Sequence, residues 1–443
     1  MSVCNWFVVL AWIAHSHGGS GPALDSRQVT YSLSKLSPAQ LQSLEDITSS
    51  SPRVQNDHFK PEPKSTYFIY TTFIHRVSST PTTLPLYNQD RNDPARTPHR
   101  RRQFLPQNTI TRRLISYYHV FLSLLSKNIA SSQLACHNGV HIVGYSLAGF
   151  ELETGAVQNE DGRQIYDLEE QICFVQRRLR ENMRRLRADP TVSKHHDLGS
   201  DAATETETPK PKVILIGHSV GTYIAMEILR RHLERQSTPS DDDDVAVDFE
   251  IAGGIMLFPT VLDIAKSPSG QKLTFLLRII PQLALMVSIF AWVLTTVLPD
   301  GLLRSLVRCV MRSPPEDAVD ATTRFLKSRR GVREALHMAA DEMRTITSDK
   351  WSDDVWGVSR ATHKSDAHLT SKPPIQLLFY FGRNDHWVAE KTREEILAAR
   401  GGMRTGHGPK MVVCEESVPH AFCLRHNEIM ARKVADMVQE VLN

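Results

Sequence analysis

The chain's 443 residues are 41% hydrophobic and 23% charged, which excludes a mainly disordered chain and a polytopic membrane protein. The 52 basic and 49 acidic residues leave a net charge of +3, which argues against a dedicated nucleic-acid binder. Six scattered cysteines without a Cys-x-x-Cys pair argue against a disulfide scaffold or zinc module, and fit a reducing compartment.

Residues 6–14 (WFVVLAWIA) form an apolar run like a signal-peptide core. The first basic residue is Arg27, so the positive flank of a signal is missing, which weighs against cleavage. The run is also too short to span a bilayer as a helix. Residues 1–64 are expected to form a poorly ordered leader, rich in Ser, Pro and Gly beyond the apolar run. A first strand is expected at 66–74 (TYFIYTTFI). Residues 75–113 then become Arg- and Pro-rich with no apolar period, and are expected to be a disordered insertion. Its arginines, Arg100, Arg101, Arg102, Arg112 and Arg113, are read as a solvated basic loop. A helix is expected at 114–129, from the spacing of Tyr118, Phe121, Leu122 and Leu125. A short strand follows at 140–144, then a charged amphipathic helix at 169–186 and a polar break at 188–211.

Beyond that break the alternation becomes regular. Strands are expected at 213–216, 251–258, 375–381 and 411–414, and helices at 222–233 and 426–442. Strands alternating with helices predict an α/β fold with a mainly parallel sheet covered on both faces. The core comprises residues 65–258 and 374–443, and 259–373 form a large inserted helical cap.

Gly217-His218-Ser219-Val220-Gly221 is the most informative pentapeptide. An apolar strand (VILI) runs into it and an apolar helix (TYIAMEIL) runs out, the setting a nucleophile elbow needs. Gly217 and Gly221 relieve crowding at the sharp turn, and the Val220 N–H points at a developing oxyanion. A serine nucleophile needs a base, and the base needs an orienting carboxylate. In chain order these are Asp385, directly after the 375–381 strand, and His420, after the 411–414 strand. Catalytic Ser219, Asp385 and His420 are therefore expected, with no metal and no cofactor. His386 is read as covering the edge of the site, and Ser146 in YSLA as part of a tight turn. His195 and His196 read as solvated, and the run Asp241, Asp242, Asp243, Asp244 as a loop without calcium-site spacing.

Residues 279–299 carry no charge, and as a helix would measure about 30 Å. A spanning helix would part Ser219 from Asp385 and His420 across the membrane. A segment dipping into one leaflet or a droplet monolayer avoids this, with Leu283, Leu285, Ile289, Trp292 and Leu298 as contact residues. The alternative is a buried cap helix over an acyl pocket.

Together LISYYHVFLSLL, YSLAGFELE, LEEQI, VILIGHSVGTYIAMEILR, GGIMLFPTVLDIAKSPSGQKL, FYFGRNDHWV and VPHAF resemble the lipid droplet-associated serine hydrolase family, within the α/β-hydrolase fold. The resemblance implies nucleophile Ser219, acid Asp385 and base His420. It also implies lipid esters (sterol esters or acylglycerols) as substrates and residence on the droplet monolayer or the cytosolic face of the endoplasmic reticulum, with no nucleic-acid partner. The alternatives are a droplet-surface storage protein with little hydrolysis, and an acyltransferase. The family's glycine-rich loop after the first core strand, which should supply a second oxyanion donor, is missing. Residues 71–113 stand there instead, as a retained intron would.

Overall fold

The structure, a computed structural model, describes residues 67–72, 116–131, 140–150, 165–188, 210–237, 249–280, 282–328, 330–358, 375–401 and 408–442. The apolar run and leader up to residue 64, the basic insertion 75–113, His195, His196 and the acidic run at 241–244 lie outside these residues. The described strands are β1 (Tyr67–Thr72), β2 (Val140–Tyr145), β3 (Lys212–His218), β4 (Glu250–Leu257), β5 (Gln376–Phe381) and β6 (Lys410–Val413). All are parallel, in the order β2-β1-β3-β4-β5-β6. Strands paired on both sides in a covered sheet bury both faces, so β3 reads as a continuous apolar run, buried from Val213 onward.

Helices α1 (Ser116–Ser131) and α10 (Asn427–Leu442) pack on each other, with α10 against β4 and β5. Helix α2 (Leu168–Ala188) packs on α3 (Val220–Ser237), which lies against β1, β3 and β4. Helix α9 (Glu390–Arg400) joins β5 to β6. With β3 central and α3 leaving its carboxyl end, this is the α/β-hydrolase fold.

Between β4 and β5 the described residues form five α-helices: α4 (Pro268–Ile279), α5 (Leu283–Val297), α6 (Asp300–Val310), α7 (Glu316–Lys327) and α8 (Gly331–Thr345). The run SPSG starts α4: Ser267 Oγ accepts from the Gly270 N–H at 2.9 Å, and Pro268 opens the first turn. Such a cap contributes about 1 kcal/mol. Gly270 is needed because a Cβ there would lie 2.1 Å from the Ile264 carbonyl oxygen. The chain returns to the sheet through two tryptophans. Trp351 Nε1–H donates to the buried Glu227 of α3 at 2.8 Å, and Trp356 stacks on Phe379 of β5 at 5.2 Å.

Helix α5 buries one stripe, Leu283, Val287 and Ala291, each four residues from the last, and packs on α8. Its other face is open, with Met286, Ile289, Phe290, Trp292, Val293 and Val297 exposed. Of the five residues expected to meet a monolayer, Leu285, Ile289 and Trp292 are exposed. Leu283 is corrected, because it lies on the buried stripe; Leu298 packs half-buried against the core. The exposed apolar surface is also wider than α5. Phe275 and Ile279 of α4 and Leu302 and Leu306 of α6 extend it, leaving only Val120 and Ile429 among the described large exposed hydrophobics elsewhere. Among the described residues no single helix is long and apolar enough to cross a membrane, and α4 and α5 meet at 93°.

Helix α8 buries two carboxyls, Glu334 and Glu342, and burial raises both pKa values to about 8. Between the ordinary carboxyl pKa and 8 the folded chain holds protons the unfolded chain has lost, so their contribution to stability fades as pH rises through that window. Glu342→Gln should leave the thermal midpoint unchanged at pH 5 and raise it by several degrees at pH 9. Equal midpoints at pH 9 would refute the burial of an ionisable carboxyl.

Candidate active site

Strand β3 ends at His218 and α3 begins at Val220, so one residue must make the turn. Ser219 does so at φ 56°, in the left-handed region. That conformation costs an L-residue about 1–2 kcal/mol, which local hydrogen bonds offset. The Ser219 N–H donates to the Leu257 carbonyl at 3.0 Å. The Ser219 carbonyl accepts from the Thr222 N–H at 2.9 Å and from the Thr222 hydroxyl at 2.6 Å. Gly217 is required by crowding, because a Cβ there would sit 2.5 Å from the Gly221 carbonyl oxygen. Gly221 is the first-turn residue whose backbone fills that space. The Val220 N–H, at the helix start, belongs to the first-turn donors that have no intrahelical acceptor.

The structure brings Ser219, His420 and Asp385 together at the carboxyl ends of three strands. His420 Nε2 lies 2.9 Å from Ser219 Oγ, and His420 Nδ1 lies 2.7 Å from Asp385 Oδ2. The side chains of His420 and Asp385 are 0% and 1% exposed, so the pair interacts with little screening. The second Asp385 oxygen accepts from the Trp387 N–H at 2.9 Å, which fixes the carboxylate plane. A carboxylate only accepts, so Nδ1 carries the proton and Nε2 is free to take one from Ser219. Exposed His386 stands at the rim, its ring 6.3 Å from that of His420. Its carbonyl accepts from the Ser269 N–H at 3.0 Å, which joins the rim to the first turn of α4. Ser146 lies just past β2, two strands from the elbow, in a turn that Gln171 pins through both backbone groups of Ala148.

Three site residues escape sequence reasoning. Thr222 braces the elbow, and Tyr118 and His218 bond to each other at 2.8 Å beside His420. Only Thr222 had a usable signal, since a hydroxyl in the first turn of a helix can bond back to the preceding backbone. Among the described residues no group of His, Cys, Asp or Glu is arranged to hold a metal ion.

The family model described as lipid-droplet associated hydrolase matches residues 113–423. Curated relatives named lipid droplet-associated hydrolase include that of Gallus gallus, 26% identical over 52% of this chain and 60% of the relative. The Homo sapiens relative is 24% identical over 55% of this chain and 62% of its own length. The chain thus spans about three-fifths of the length of these relatives. Similar solved structures include a haloalkane dehalogenase from Bradyrhizobium elkani, with TM-score 0.40 and 10% identity over 86% of this chain and 92% of the other.

Asp385→Asn should preserve the fold and slow any reaction at Ser219 by about 10⁴-fold, because the imidazole is then held in the wrong tautomer. Gly217→Ala should abolish it by displacing the elbow. Rates of serine modification by a fluorophosphonate, with circular dichroism as the fold control, check both.

Proposed function

Since the chain belongs to the lipid droplet-associated hydrolase family, we propose that it is a serine hydrolase of lipid carboxylic esters, with sterol esters or acylglycerols as the substrate class. The hydrogen-bonded line Ser219–His420–Asp385 carries this reading. Ser219 Oγ attacks the ester carbonyl while His420 Nε2 takes its proton, and Asp385 steadies the imidazolium that forms. The Val220 N–H donates to the oxyanion at the start of the helix that leaves the elbow. His420 then protonates the departing alcohol. Water, activated by the same imidazole, releases the fatty acid from Ser219 and restores the enzyme. This chemistry needs no metal and no cofactor.

The apolar face of α4, α5 and α6 supports a position on a lipid surface, the monolayer of a droplet or the cytosolic leaflet of the endoplasmic reticulum. Exposed apolar patches of this extent mark contact surfaces. Insertion would bury the α5 side chains opposite the stripe held by α8, each methylene contributing about 0.8 kcal/mol. A surface protein that stores lipid without cleaving it would need this face but not the buried triad.

A fluorophosphonate should label the wild-type chain and should not label Ser219→Ala or His420→Ala. Equal labelling of wild type and Ser219→Ala would end the hydrolase reading. Release of acid to water rather than its transfer to an added alcohol separates hydrolysis from acyl transfer. For the surface, the combined change of Phe275, Ile289, Trp292 and Leu302 to Ser should release the protein from floated droplets while fluorophosphonate labelling persists. Retention on droplets would place the anchor elsewhere.

A further inference from the structure

His218 fills the variable position of the pentapeptide, yet it is buried and bonded through both ring nitrogens. Its Nε2 lies 2.9 Å from the carbonyl oxygen of His420, and its Nδ1 lies 2.8 Å from the Tyr118 hydroxyl. A carbonyl oxygen only accepts, so Nε2 must carry the proton. In the neutral ring Nδ1 is then bare, and the Tyr118 hydroxyl donates to it. Burial, and next the neighbouring charge of His420, hold the His218 pKa well below the usual imidazole range. The ring packs against the stacked pair Phe422 and Phe258, edge-on to each at 5.0 and 5.8 Å.

The sheet sets the problem that this arrangement answers. Ser219 stands at the end of β3, whereas His420 comes from the segment after β6, the edge strand, with β4 and β5 between them. The His420 segment therefore reaches back across two strands with no sheet ladder to fix its height above Ser219. We infer that His218 is a positioning residue that ties the backbone of the base to the strand of the nucleophile. The tie closes a small ring: Ser219 is peptide-bonded to His218, His218 holds the His420 carbonyl, and His420 Nε2 returns to Ser219 Oγ. Tyr118 fixes the tautomer on which the ring depends. Neutrality serves a second purpose, because the two imidazoles are 5.1 Å apart and a cation on His218 would oppose the imidazolium forming on His420.

This inference rests on the hydrolase reading, and the test separates the two. His218→Phe keeps an aromatic ring beside Phe258 and Phe422 but breaks both bonds. His218→Gln keeps an amide donor for the carbonyl and an acceptor for Tyr118. Turnover of a soluble short-chain ester is measured on the full chain as kcat and KM, with thermal midpoints alongside. His218→Phe should lower kcat about 10²-fold, the size of effect that a misplacement of about 1 Å produces, and leave KM within about twofold. His218→Gln should recover at least about a tenth of wild-type kcat at a thermal midpoint equal to that of His218→Phe, a split that a merely structural role would not give. If His218→Phe fails to fold, Tyr118→Phe replaces it and should lower kcat several-fold at constant KM. Wild-type kcat in the variant that folds, or a folded His218→Phe that His218→Gln does not exceed, overturns the inference while the hydrolase reading stands. A wild-type chain no more active than Ser219→Ala overturns both.

Discussion

The left-handed Ser219 is the constraint on which the rest of the site depends. A parallel strand and its following helix run in opposite directions, and here one residue makes the reversal. Everything adjoining that residue supports it. Gly217 leaves room for the returning helix backbone, Leu257 receives the Ser219 N–H, and Thr222 satisfies the Ser219 carbonyl twice. Because β3 and β4 carry the elbow, its geometry comes from the most buried part of the molecule rather than from a loop. A nucleophile so held needs little rearrangement when charge develops, which is where preorganised sites gain most.

Much of this was legible in the sequence, for identifiable reasons. Interior strands of a covered parallel sheet are apolar on both faces, so VILI, IAGGIMLF and IQLLFYF stand out without periodicity. Glycines in fixed relation to Ser219 mark a turn too tight for side chains. Asp385 and His420 follow strands in the order that topology requires. His218 was not legible, because a histidine in a variable position looks the same whether it faces solvent or holds a neighbour. Its partner Tyr118 is 100 residues earlier and reads as one more core aromatic at helical spacing. The burial of α5 was hidden by the opposite difficulty. Where nearly every residue is apolar and none is charged, composition cannot distinguish the stripe of Leu283, Val287 and Ala291 from the open face of Met286, Ile289 and Phe290. Only the position of α8 decides it, and α8 is some 35 residues further along the chain.

The insertion between β4 and β5 meets two demands that conflict in a single surface. It must pack on the core well enough to stay folded, and it leaves a broad apolar face uncovered. The two are separated by direction. Toward the core it is tied by polar and aromatic contacts at its return, including Trp351 on Glu227, and Arg400 on Asp349 and Asp353 at 2.7 and 2.6 Å. Outward it offers mainly aliphatic and phenyl side chains, Trp292 being the one large hydrophobic with a polar group, so removing most of them from water costs no hydrogen bond. Such a face can exchange water for hydrocarbon without disturbing the bonds that hold the insertion to the sheet.

Helix α4 links that face to the chemistry. Its first turn is capped by Ser267 and bonded through Ser269 to the carbonyl of His386, next to Asp385. Its exposed Phe275 and Ile279 belong to the apolar surface. Twelve helical residues make a rod of about 18 Å, stiff on the scale of a hydrogen bond. The orientation of the apolar face relative to the Ser219–His420 line is therefore set by the fold and not by a flexible tether. Under the proposed function, a molecule resting on lipid through α4, α5 and α6 presents the His386 rim at a fixed angle to the surface. An ester drawn from that surface would then meet Ser219 from one direction, and that restriction of approach is itself a source of rate, because orientation is settled before the bond forms.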